Sequence, residues 1–171
     1  PIEQSTAGRT KFECRNHKAF AALRGDGSVV TWGDKYTGGN SSGVDFNGVN
    51  DNLVVAQIFS SGSAFAALRS NGSVVTWGEL SLGGDSSSVD FDGVNNNLTV
   101  SRIFSTDTAF AALRSNGSVV TWGHKDNGGY SNSVDFDGVD NNLTVTEIFS
   151  NDYAFAALRS DGSVVTWGYP S

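Results

Sequence analysis

With 171 residues the chain can bury one ordinary core unaided, and its one cysteine, Cys14, excludes an internal disulfide or a cysteine-built metal site. Against 11 Lys and Arg stand 18 Asp and Glu, a formal charge of −7, which leaves no basic stripe for nucleic acid and opposes adsorption to anionic membranes. No apolar run is long enough to span a bilayer.

Valine, phenylalanine, alanine and four tryptophans supply most of the apolar residues, alongside 21 glycines, two prolines and no methionine. β-branched and aromatic residues punctuated by glycine predict strands joined by tight turns. The chain opens at Pro1 and reads as a processed product or a fragment, with an extracellular or organelle-lumen setting favoured. Asn40, Asn71, Asn97, Asn116 and Asn142 each begin an N-x-Ser/Thr triplet, but a chain so rich in Asn and Ser produces such triplets by chance.

In chain order, Pro1 to Lys11 comes first and is unlike the rest of the chain. The string Ala-Phe-Ala-Ala-Leu-Arg then begins at Ala19 and recurs at Ala64, Ala109 and Ala154, a constant spacing of 45 residues. Trp32, Trp77, Trp122 and Trp167 keep that period, as do Phe46, Phe91 and Phe136. The chain is therefore one repeat domain, 1–171, with units at about 10–53, 54–98, 99–143 and 144–171, the last incomplete. A spacing without slippage means that each unit makes equivalent contacts with its neighbours.

Within a unit, Thr144 to Ser150 alternates as a strand does, and Ala154 to Arg159 forms a second. Ser160-Asp161-Gly162-Ser163 follows, matched by Ser70-Asn71-Gly72-Ser73 and Gly25-Asp26-Gly27-Ser28. Asp-Gly or Asn-Gly between apolar runs predicts a hairpin with a type I′ turn. The third strand, Ser-Val-Val-Thr-Trp-Gly, puts Val29 and Thr31 on one face and Val30 and Trp32 on the other. A variable stretch, a Gly-Gly pair and Val-Asp-Phe-Asp-Gly-Val come next, predicting a short fourth strand or an irregular edge.

Three to four strands per repeat predict an all-β chain of propeller blades, as a four-bladed ring or a propeller segment, with a β-solenoid as the alternative. The propeller is preferred because long loops and Asp-Gly hairpins suit short solenoid rungs poorly. Pro1 to Lys11 is the candidate strand to complete the last blade. Blade edges left open would invite a partner, including a homodimer.

The run Ile58-Phe59-Ser60, Ala66-Ala67-Leu68, Asn71-Gly72, Val74, Trp77-Gly78 and Gly83-Gly84 resembles a repeat of the regulator of chromosome condensation type, and is similar to short repeats in bacterial and algal proteins. The resemblance covers nearly the whole chain and implies β-propeller blades. Members of that family usually carry seven longer repeats, whereas the fourth copy here stops at Trp167-Gly168-Tyr169-Pro170-Ser171. No residue matches that family's nucleotide exchange on a small GTPase, so the activity is not carried over.

The four copies differ in two places. One is the turn before the Ala-Phe strand: Ser61-Gly62-Ser63, Thr106-Asp107-Thr108 and Asn151-Asp152-Tyr153. The other follows Trp-Gly, at 34–37, 79–82 and 124–127. In an up-down meander both lie at one end of the blade, away from the hairpins, and loops on a rigid scaffold are where binding is placed. Tyr36, Leu80, Leu82, His124, Lys125 and Tyr153 are the candidate partner-binding residues of a non-enzymatic protein-binding or scaffolding module, an accessory subunit of a larger assembly. The competing reading is plain loop drift.

The alternative function is ligand binding, lectin-like or calcium-stabilised. Asp45, Asp90, Asp92, Asp135 and Asp137 recur beside a glycine turn, and oxygen ligands of that kind suit calcium, although Asp and Asn with Gly also simply make turns. No other cofactor is implied. Gly39-Asn40-Ser41-Ser42-Gly43 has the Gly-x-Ser-x-Gly form but sits in a polar loop with no helix after it. Cys14 and His17 could pair as nucleophile and base, yet Cys14 holds the place of Phe59, Phe104 and Phe149, which reads as an apolar stand-in. Arg24, Arg69, Arg114 and Arg159 read as architectural, pairing with carboxylates or main-chain carbonyls between blades.

Overall fold

The computed structural model describes residues 15–48, 52–93 and 97–169, so Pro1 to Lys11 and Cys14 lie outside the described residues. The strands are β1 (Ala19–Leu23) and β2 (Val29–Gly33); β3 (Val55–Ser60), β4 (Ala64–Arg69) and β5 (Val74–Gly78); β6 (Val100–Ser105), β7 (Ala109–Arg114) and β8 (Val119–Gly123); and β9 (Val145–Ser150), β10 (Ala154–Arg159) and β11 (Val164–Gly168). Each trio is an antiparallel sheet in chain order, and β1 and β2 form a two-stranded sheet among the described residues. Each sheet is one propeller blade.

Register explains how the blades stack. Phe65 lies opposite Trp77 and Ala66 opposite Thr76, and the same pairing recurs in every blade. Successive side chains alternate across a strand. Each blade therefore has one face of Ala64, Ala66, Leu68 and Val74, and another of Phe65, Ala67, Val75 and Trp77. Both are apolar, as a blade sandwiched between two others requires.

The alanine-leucine face of one blade packs on the phenylalanine-tryptophan face of the next. Ala19 meets Val55, Phe65 and Trp77; Ala64, Ala66 and Leu68 meet Val100, Ile103, Phe110 and Trp122; Ala109, Ala111 and Leu113 meet Val145, Ile148, Phe155 and Trp167. The small alanines leave room for a flat aromatic pair, in which Phe65 and Trp77 stack with centroids 5.2 Å apart. Burying each such ring contributes about 1.5–3 kcal/mol. Among the described residues no fourth core joins the last blade to the first.

The hairpins depart from expectation. Gly27, Gly72, Gly117 and Gly162 have φ of 82°, 82°, 81° and 86°, but the preceding Asp or Asn does not have positive φ. With Gly27 N donating to Arg24 O and Arg24 N to Ser28 O, the loop is a type I turn closed by one left-handed glycine, not the type I′ turn expected. The Asp or Asn side chain decides this. Asp26 Oδ1 accepts both the N–H (2.9 Å) and the hydroxyl (2.7 Å) of Ser28, and Asn71 does the same for Ser73.

The Val-Asp-Phe segment takes the irregular form of the two expected, as consecutive turns. The Gly-Gly and Ser stretch before it is held on the blade by the last strand's threonine: Thr76 Oγ1 donates to Gly84 O at 3.1 Å and to Ser86 Oγ at 3.0 Å.

Candidate functional site

The residue after each Trp-Gly is tied by its N–H to the turn before the Ala-Phe strand: Asp34 to Lys18 O, Glu79 to Ser63 O, His124 to Thr108 O and Tyr169 to Tyr153 O, at 2.9–3.0 Å. The two variable connections therefore lie side by side at one end of every blade. A small polar side chain stitches them further. Asn16 Nδ2 donates to Thr37 O at 2.7 Å, Ser61 Oγ to Leu82 O at 3.3 Å and Thr106 Oγ1 to Asn127 O at 3.0 Å.

Tyr36, Leu80 and Tyr153 stand on this end 66 %, 67 % and 57 % exposed. Lys125 is exposed, while His124 and Leu82 are half-buried. Leu82 is partly committed to the scaffold through the carbonyl that Ser61 bonds. His124 precedes the turn Lys125–Asn127, and its Nδ1 is buried without a hydrogen-bond partner among the described residues. Lys35 places its ammonium 4.7 Å from the Tyr36 ring centroid. Sequence reasoning passed over Tyr169, which is 63 % exposed and lies 6.4 Å from Tyr153 between centroids. The signal was available, since Tyr169 holds the place of Asp34, Glu79 and His124.

Part of the variation is not free surface. Ser61 and Thr106 are fully buried. The turns between first and second strands also bond to one another: His17 N to Gly62 O at 3.1 Å, Gly62 N to Asp107 O at 2.6 Å, and Asp107 N to Asp152 O at 2.9 Å. A Cβ on Gly62 would sit 2.7 Å from Asp107 Oδ1, so glycine is needed there. His17 Nε2 lies 3.5 Å from Asp107 Oδ1, and Arg15 bonds Asp152 at 2.8 Å.

The acidic loops are turns. The carboxylates of Asp45, Asp90 and Asp135 accept the N–H of Gly48 (2.8 Å), Gly93 (2.7 Å) and Gly138 (2.6 Å). Their main-chain carbonyls accept from Arg69, Arg114 and Arg159 of the following blade, the latter two at 3.2 Å. The repeated arginines thus link blades through carbonyls. Asp92 and Asp137 are exposed on the same loops. Among the described residues no three His, Cys, Asp or Glu side chains gather closely enough to hold a metal ion. Ser41 shares a 2.9 Å hydrogen bond with Thr31 Oγ1, which ties it to the same threonine position as Ser86 and Ser131.

The hairpin carboxylates of Asp26 and Asp161 are held below the usual carboxylate range by the hydroxyl and N–H of Ser28 and Ser163. Asp85 is lowered by the N–H and hydroxyl of Ser87.

No protein-family profile and no curated protein sequence matches the chain. Solved structures do. Human WBSCR16 is similar over 90 % of this chain and 46 % of its own, at 20 % identity and a TM-score of 0.62. Prp20p from Saccharomyces cerevisiae is similar over 90 % of this chain and 43 % of its own, at 19 % identity and a TM-score of 0.60. The same yeast protein in complex with Kap60 gives 19 % identity, 42 % of its length and a TM-score of 0.60. The chain spans less than half the length of these structures. Stacked three-stranded blades, the cross-blade Phe–Trp core and these similarities together give the chain the β-propeller repeat fold of the RCC1-like type.

Proposed function

We propose that this chain is a non-enzymatic protein-binding module, part of a larger assembly, that takes its partner on the end where the variable connections meet. The observation that carries this reading is the exposure of Tyr36, Leu80 and Tyr153 on a scaffold whose strands are nearly identical. Exposed aromatic and aliphatic side chains on rigid elements are the residues that anchor protein interfaces. Lys125 adds an exposed charge on the same end, where His124 and Leu82 are half-buried. Tyr169 extends the patch next to Tyr153. Proteins of the same fold support the reading: Prp20p is described with binding properties to Gsp1p and histones, and yeast Prp20 has been seen bound to Kap60.

The test is partner recovery by the tagged chain from its source extract, with the wild type beside a variant carrying Tyr36→Ser, Leu80→Ser and Tyr153→Ser. A partner recovered by the first and lost by the second, with the thermal melt retained, supports the reading. Equal recovery by both overturns it.

A further inference from the structure

Each seam between successive blades leaves a groove, lined at equivalent positions of the repeat. Val44 and Val75 line the first, Val89 and Val120 the second, and Val134 and Val165 the third, with volumes of about 330, 480 and 430 Å³. What sets the grooves apart is therefore their individual side chains. The second is lined by Leu80, Asp85 and Ser88 from the connection after the second blade and by Tyr130, Ser131 and Asn132 from the connection after the third, together with β8. Its volume falls within the roughly 300–1,000 Å³ of clefts that hold small molecules.

This groove has a chemistry its copies lack. Lys35 and Lys125 hold the place of Leu80 in the other repeats, and Asn40 and Asp85 hold that of Tyr130. Tyr130 is 60 % exposed, a flat apolar face ending in a hydroxyl. Asp85 Oδ1 accepts the N–H of Ser87 at 2.9 Å, and that bond with the Ser87 hydroxyl keeps the exposed carboxylate ionised. The hydroxyls of Tyr130 and Ser88 and the amide of Asn132 make no hydrogen bond to a described residue. No Lys, Arg or His is among the described residues that line the groove.

That combination selects its ligand. A tyrosine face takes an apolar surface, while a carboxylate takes hydrogen bonds from hydroxyls more strongly than a neutral acceptor does. A sugar ring offers both, C–H groups on its face and hydroxyls around its edge. A phosphate, sulfate or carboxylate would meet no counter-charge here and would be repelled by Asp85 and Asp90, which both line the groove. A cationic ligand would use Asp85 but leave the neutral groups of Ser88, Ser131 and Asn132 without a role.

We propose that the groove between the second and third blades is a binding site for a neutral saccharide, its ring stacked on Tyr130 and its hydroxyls donating to the Asp85 carboxylate. Of these residues Leu80 alone belongs also to the variable-end patch, and the proposal does not rest on the protein-binding reading.

The experiment applies the fluorescently labelled full chain to an array of neutral, sialylated and sulfated glycans. The free disaccharide from the terminus of the best-retained glycan is then titrated into the chain by amide NMR, with lysine amide as the cationic control. Retention of neutral glycans is expected, with saturable shifts at residues 85–88 and 130–132. Tyr130→Ala and Asp85→Asn, both at exposed positions and checked by their melts, should each weaken binding about tenfold, and Tyr130→Trp should retain it. Tyr36→Ser with Tyr153→Ser should leave sugar binding unchanged, which separates this site from the variable end. An array blank for neutral glycans overturns the proposal, as do shifts indifferent to Tyr130→Ala and Asp85→Asn. Preference for sialylated or sulfated glycans, or stronger shifts with lysine amide, overturns it too and assigns the groove to a charged ligand.

Discussion

Trp77 donates its indole N–H to Gly38 O at 3.1 Å, 39 residues earlier in the chain and one blade away. The bond joins the tryptophan closing one blade's last strand to the glycine pair that follows the tryptophan of the blade before it. A buried N–H needs an acceptor, and only a residue without a Cβ lets the main chain come down onto the ring that stacks under the indole.

Gly83→Ala should therefore destabilise the chain. Its φ is +104°, and the added Cβ would meet the Phe110 ring at 2.6 Å. The backbone term alone is of order 1–3 kcal/mol, and the clash adds to it. Gly43→Ala is the matched control, since nothing lies within 4 Å of its Cβ position and other copies carry Ser there. Denaturant midpoints of the two variants should differ clearly, and equal midpoints would remove the close-approach argument.

Trp122→Phe and Trp32→Phe make an informative pair. The first strips the partner from the Gly83 carbonyl, at about 1–3 kcal/mol for the orphaned group, and leaves a void besides. The second removes a half-exposed indole with no described acceptor, so its cost should stay within about 0.5 kcal/mol. Chemical unfolding of both variants checks the asymmetry.

Arg114→Ala should cost roughly 1–2 kcal/mol, because Arg114 Nη1 bonds the Asp90 carbonyl of the preceding blade and its Nε bonds Ser118. Arg24 has the same place in the first blade, but its guanidinium makes no hydrogen bond to a described residue, so Arg24→Ala should be close to neutral. A double-mutant comparison with Ser118→Ala separates the local bond from the cross-blade one.

The hairpin acids give a pH dependence of known sign. The folded pKa of Asp161 is depressed below 3.8 by Ser163, so its contribution is present above that value and is lost as pH falls through the folded pKa. Asp161→Asn should retain the turn, because Asn71 and Asn116 already make the same bonds at the equivalent positions. Melts between neutral and strongly acidic pH should show the wild type losing slightly more stability than the variant. An identical acid profile would mean that the turn is held without the carboxylate.

If the acidic loops act only as turns, thermal melts in chelator and in millimolar calcium should coincide. An upward shift in calcium that Asp90→Asn abolishes would instead support a calcium-stabilised repeat.

Much of this molecule follows from the sequence by itself. The constant 45-residue spacing determines the repeat, and the period-two alternation and the Asp-Gly or Asn-Gly pairs determine its strands and hairpins, because these last arise among residues only a few positions apart. The meander also determines that the variable connections share one end. The turn type was beyond that reading, since it rests on Asp26 bonding Ser28 rather than on the dipeptide. Other features were decided only by the tertiary structure, because they join residues 21, 24 or 39 apart across or between blades. Ser61 and Thr106 look like drift in a polar turn, and burial made them structural. Most of all, both faces of every blade are apolar, so alternation cannot say which face is covered. Only the stack shows which copies are buried, as Phe65 and Trp77 are, because coverage belongs to the neighbouring blade and not to the strand.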